Sequence, residues 1–143
     1  MRSRFLFPLM ILLVGALVLA ACGGQPASAQ GYGIEEFLAE LREQGVEAEK
    51  GDSVEQAFFS VIGSYVNFNN ESMQVFEYDS AETMESDAVL VDASGSPIGT
   101  SMVSWVATPH FYKKGRILVL YVGDNTETLK VLEGVLGQQF AGG

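Results

Sequence analysis

Residues 116–122, Arg116-Ile-Leu-Val-Leu-Tyr-Val122, are apolar at six consecutive positions after the arginine. A strand with one wet face alternates apolar with polar, whereas an unbroken apolar run is what a strand buried on both faces carries. This segment is therefore expected to be a central strand. Gly123 ends it, and Asp124 is placed to cap a helix in which Leu129, Leu132 and Leu136 share one face.

Upstream, Ser101 to Ala107, with Trp105, is a second strand-forming run, and Thr108 to Gly115 would join it to the central strand as a hairpin. Another hairpin is predicted from Ser64–Phe68 and Met73–Tyr78, around Asn69-Asn70-Glu71-Ser72. Asp79, with Glu82 three residues on, reads as the cap of a helix carrying Ala81, Met84 and Ala88 on one side. Asp92 to Thr100 is a turn-rich loop. Near the start, Ile34, Phe37, Leu38 and Leu41 have amphipathic helical spacing, with Glu35 and Glu36 in the first turn and Gly45 as the stop. Val46–Glu49 alternates as a short strand before a Lys50-Gly51-Asp52 turn. Residues 53–62 read two ways: Ser53 and Gln56 fit a capping box and a helical turn from Val54 to Phe59, while Phe58–Ile62 looks like buried strand.

These elements add up to an α+β fold, an antiparallel sheet of about five strands with about three helices packed on one face. On that arrangement the apolar central strand needs cover on its second face, from a loop, a second copy of the chain, a partner or a ligand. Asp79–Met84 and Asp124–Leu129 match in pattern, 45 residues apart. Two capped helices after two strands produce such a match without duplication. Phe58, Phe59, Phe76, Trp105 and Tyr121 are read as core rather than as pocket lining, because aromatic residues fit half-buried pleated surfaces.

The N-terminus carries an address. Arg2 and Arg4 precede an uncharged apolar run from Phe5 to Leu19, and Leu19-Ala20-Ala21-Cys22 follows. This layout resembles the signal peptide and lipobox of bacterial lipoproteins. The resemblance implies cleavage before Cys22 and acylation of its thiol, so that two acyl chains anchor the protein at the outer side of a membrane. The expected organisation is a removed signal peptide (1–21), a lipidated cysteine and glycine-rich tether (22–33), and one α+β domain (34–143). Ser104–Gly123 also resembles small predicted bacterial lipoproteins, a likeness that carries over no catalytic or binding residue. Cys22 is the sole cysteine, so a lipidated chain has no thiol for a disulfide, a metal or nucleophilic catalysis. Loss of Arg2 and Arg4 leaves six basic against 18 acidic residues, a net charge of −12 that repels nucleic acid and anionic lipid.

Chemistry has few places to sit. Pro109–Arg116 holds the only histidine, His110, with Phe111 and Tyr112 beside it, and Lys113, Lys114 and Arg116, half of the six mature basic residues. Read as a loop, this is a contact for an anionic group or an acidic partner; its lysines are equally suited to discouraging edge-to-edge strand pairing. His110 as a general base needs a positioned nucleophile or water and an orienting carboxylate, which no motif supplies. There is no G-x-S-x-G, H-E-x-x-H, phosphate-binding glycine loop or calcium-loop spacing, so no cofactor or metal is expected. Asn70-Glu71-Ser72 matches a glycosylation sequon but reads as turn chemistry. The sequence thus predicts a lipid-anchored, non-enzymatic module that binds a protein or envelope component. The alternatives are a small-molecule-binding lipoprotein, with its pocket between sheet and helices, and a hydrolase using His110.

Overall fold

The computed structural model describes residues 31–143. The expected signal peptide and lipobox and most of the expected tether, Cys22 included, lie outside the described residues. The chain folds as α1 (Ile34–Glu43), β1 (Ala48–Val54), β2 (Gly63–Phe68), β3 (Glu71–Glu77), α2 (Ala81–Ala88), β4 (Pro109–Lys114), β5 (Ile117–Val122), α3 (Thr126–Leu136) and β6 (Ala141–Gly142). The strands form one antiparallel sheet in the order β1-β2-β3-β5-β4-β6. The fold is α+β as expected, with a short sixth strand added at one edge.

The apolar run of residues 117–122 is β5, between β3 and β4 in the middle of the sheet. Its side chains alternate between two separate cores. Ile117, Val119 and Tyr121 join Val66, Met73 and Val75 beneath α1 and α3. Leu118 and Leu120 join Phe76, Phe111, Met84 and Ile98 beneath α2 and residues 89–107. The helices therefore divide: α1 and α3 cover one face, while α2 and a long strap cover the other, instead of all three sharing a face. Of the covers expected for the second face, it is the chain's own that the structure shows, α2 and the strap. The division also argues against duplication. A rotation superposing neighbouring antiparallel hairpins keeps each face of the sheet on its own side, so duplicated hairpin–helix units would put both helices together.

Three local expectations change. The second hairpin is β4–β5, turned at Gly115-Arg116 with Lys114 opposite Ile117, so Pro109–Lys114 is a strand and not a connection. Gly115 (φ 56°) supplies the positive φ that a two-residue turn needs. Ser101–Ala107 joins no strand ladder and bends at Val106-Ala107, and the strap is pinned by isolated bridges Val91–Ile98 and Ile98–Ser101. Trp105 donates its indole N–H to the Gly95 carbonyl (3.0 Å) and packs edge-on against Phe111. Lys50-Gly51-Asp52 is not a turn; β1 runs through it, with a register shift between Lys50 and Ser53. Residues 55–62 form turns with no helix among them.

Candidate functional site

The sheet has two chemically distinct ends. At the β4–β5 turn, every basic residue of the Pro109–Arg116 segment has an internal partner. Lys113 pairs with Glu85 of α2 and lies over the Phe140 ring (5.0 Å). Lys114 pairs with Glu40 of α1 (2.7 Å), donates to the Val135 carbonyl at the end of α3 (2.8 Å) and sits over the Tyr32 ring (4.3 Å). Arg116 pairs with Glu77 (2.9 Å) and donates to the Tyr78 carbonyl (2.9 Å); Glu77 also accepts the Ile34 N–H at the start of α1 (2.9 Å). These contacts tie the turn to all three helices.

His110, Phe111 and Tyr112 are buried, as follows from their place in β4. Phe111 faces the strap core, and His110 and Tyr112 point under the α1/α3 layer. The His110 ring stacks on Tyr121 (6.1 Å), its Nδ1 is 2.6 Å from Gln139 Oε1, and its Nε2 has no partner among the described residues. The Tyr112 hydroxyl is also unpartnered, and burial first, then the Glu133 and Tyr121 charges, push its pKa up to about 12. The structure thus brings the six predicted contact residues together in sequence but spends them on packing and internal ion pairs.

The concave surface lies at the opposite end, around the β2–β3 turn. Asn69 (φ 46°) and Asn70 (φ 64°) have the left-handed signs a type I′ turn requires, and asparagine tolerates them. The tight turn delivers Glu71 to the start of α3. Its carboxylate accepts Tyr121 Oη (3.0 Å), Thr128 Oγ1 (2.6 Å) and Asn125 Nδ2 (3.3 Å). Burial, and then the Glu71 acceptor, raise the Tyr121 pKa. Asn125 caps α3, its Oδ1 accepting the Glu127 and Thr128 N–H groups.

Between this anchored α3 start, the C-terminal end of α1 and the turn is a cleft of about 360 Å³. Leu41, Val46, Phe68, Met73, Val131 and Leu132 supply its apolar lining; Gln44, Asn69, Asn125, Glu127 and Thr128 supply polar groups. Val46, Phe68 and Asn69 also border a wider, open groove over residues 45–49, 67–72 and 121–123. Sequence reasoning placed Leu41 and Leu132 on helix faces, Val46, Phe68 and Met73 in strands, and Asn69–Glu71 in a turn, and it did not single out Val131. The signal for the cleft was the Asn-Asn turn three strands before the Asn125-capped helix, which has meaning only once the sheet order is known.

Among the described residues, the five large exposed apolar side chains, Ile62, Val89, Leu90, Met102 and Val106, all lie on the 59–62 turn, the end of α2 or the strap; Val106 is 99 % and Met102 81 % exposed. Among the described residues, no group of three or more His, Cys, Asp or Glu is placed to hold a metal ion, and no helix is long and apolar enough to cross a membrane. No protein-family model, curated protein or solved structure matches this chain.

Proposed function

We propose that this chain is a non-enzymatic binding module, held outside the cytoplasm by lipid on Cys22, whose cleft between α1, α3 and the Asn69-Asn70 turn receives a small molecule. The observation that carries this reading is the cleft itself. An apolar floor with a few converging polar groups, in a volume of about 360 Å³, is the usual form of a small-ligand site. Glu71 supports it by fixing the turn to α3 through three side-chain bonds. His110 has no catalytic part in this reading, because its ring is buried and stacked.

The test is thermal denaturation of the purified protein against a panel of metabolites and envelope components. A ligand at 100 times its Kd raises stability by about 2.7 kcal/mol. Val131→Phe, which fills the cleft from its half-buried edge, should abolish that gain while keeping the fold. A panel in which every stabilising ligand acts equally on Val131→Phe would sink the cleft as the site.

A second reading, a protein or envelope partner, is favoured by the exposed apolar residues of the strap. Clusters of this kind mark contact surfaces when they are continuous. Crosslinking in the native membrane, with Met102→Asp and Val106→Asp as controls, reads this out: a partner lost in the controls supports it, and a partner unaffected by them removes it.

A further inference from the structure

Resting on the reading of the strap as a contact surface, we infer that its partner is a second copy of this chain, joined edge to edge along Met102–Ser104 by antiparallel strand pairing. Exposure alternates residue by residue from Ser101 to Val106, with Met102, Ser104 and Val106 outward, and a period of two is that of a strand. One edge of this run is already used. Ser101 exchanges both backbone bonds with Ile98 (3.0 and 2.9 Å) around the Gly99-Thr100 turn. The Val103 N–H donates to Ser96 Oγ (3.2 Å), and that hydroxyl donates to the Val103 carbonyl (3.0 Å). Successive residues of a strand send their backbone groups to opposite edges, so Met102 and Ser104 send theirs the other way. Among the described residues, no backbone partner meets them there.

An unpaired strand edge invites a further strand, and proteins guard such edges with charge, proline, bulges or brevity. The two edges of the sheet follow that rule. β1 carries Glu49, Lys50 and Asp52 and shifts register between Lys50 and Ser53, and β6 is two residues long. The strap edge has no such guard. Residues 89–107 hold one charged residue, Asp92, and their one proline, Pro97, is on the other limb of the turn. Apolar Met102 and Val106 stand out from the run, and the Gly99 N–H bond to the Leu90 carbonyl (2.8 Å) brings exposed Leu90 beside the turn.

Charge and symmetry select a second copy as the occupant. The chain has a net charge of −10, so a foreign partner gains most from opposite charge, which the strap does not meet. Two copies repel over their acidic surfaces and gain from a segment almost free of charge, the usual composition of an interface core. The segment also complements itself. A two-fold axis at Val103 sets Met102 opposite Ser104 of the second copy, and the reverse, with each pair exchanging both backbone bonds.

The test uses the mature protein, expressed from residue 22 with Cys22→Ala so that no lipid enters the readout. Sedimentation velocity over a concentration series should show a monomer–dimer equilibrium that tightens with salt, as screening lowers the repulsion between copies. Met102→Asp, at an exposed side chain, should weaken the dimer by about tenfold or more while leaving circular dichroism unchanged. Amide exchange followed by NMR should slow by about tenfold or more at Met102 and Ser104 as the dimer forms, and stay as it was at Val103, whose N–H is already bonded. A protein that is monomeric at every concentration and salt overturns the second copy. A foreign protein then captured in the native membrane and lost with Met102→Asp would leave the strap standing as the contact surface; capture indifferent to Met102→Asp removes that reading too. A dimer that Met102→Asp does not weaken lies elsewhere and overturns the inference. So does a dimer that loosens with salt, or one that forms with no slowing of exchange at Met102 and Ser104.

Discussion

Single side chains at this protein's two carboxylate hubs do more than their sequence neighbourhood suggests. Asp87, on the face of α2 that also buries Met84 and Ala88, accepts the Ser60 N–H (2.7 Å), the Ser60 hydroxyl (2.8 Å) and the Tyr78 hydroxyl (2.9 Å). It holds the 59–62 turn to α2 and raises the Tyr78 pKa, after the larger effect of burial. Asp87→Ala strands two or three polar groups, so it should cost about 3 kcal/mol in urea denaturation, at roughly 1 kcal/mol or more for each unmade bond. Glu71 plays the same part between the β2–β3 turn and α3. Nothing in the local sequence marks either residue, because Ser60 comes to Asp87 from 27 residues away and the three partners of Glu71 from 50 or more. Lys113, by contrast, makes a half-exposed pair, and Lys113→Ala should change stability by less than about 1 kcal/mol.

At the scale of the element, sequence and structure agree on the three main helices, not on the helical turn over Val54–Phe59, and differ by one residue on the caps of α2 and α3. Asp79 and Asp124 read as caps, yet the N-caps are the next residues, Ser80 and Asn125. The Ser80 hydroxyl accepts the Thr83 N–H (3.1 Å), while Asp124 accepts the Thr108 hydroxyl instead. Asp, Ser and Asn are all good caps, so adjacent candidates are resolved only by where β3 and β5 release the chain. Ser80→Ala should therefore cost about 1 kcal/mol, and Asp79→Ala should be close to neutral, when the two are compared by chemical denaturation. The first hairpin was legible because Asn69-Asn70 is turn chemistry; Asn70→Val should destabilise by about 1–2 kcal/mol, the penalty of a branched residue in the left-handed region. The second hairpin was misplaced. Ser101–Ala107 has the right alternation, with Met102 and Val106 outward and Val103 and Trp105 inward. It lacks a partner, since both edges of β5 are taken by β3 and β4.

For the molecule as a whole, the layered arrangement buries four of its five tyrosines. Burial is the first cause in each case: it raises Tyr32, Tyr78 and Tyr121 above the usual phenol range and Tyr112 to about 12. A folded-state pKa above the unfolded value of about 10 means that the native state holds more protons between those values, so stability falls as pH rises through that window. Alkaline titration should show phenolate absorbance from these residues appearing together with loss of near-ultraviolet circular dichroism, rather than before it. At this scale the division of labour between sequence and structure is clear. The sequence by itself determined the α+β class, the central position of residues 117–122, the amphipathic first helix and the Asn-Asn hairpin, because periodicity, capping and turn chemistry are local. Only the tertiary structure decided that α2 crosses to the other face, that Pro109–Lys114 is a buried strand with its lysines in ion pairs, and that the cleft forms beside the Asn69-Asn70 turn. Those outcomes depend on which strands become neighbours and which charges meet across long stretches of chain, and a local pattern carries no record of its distant partner.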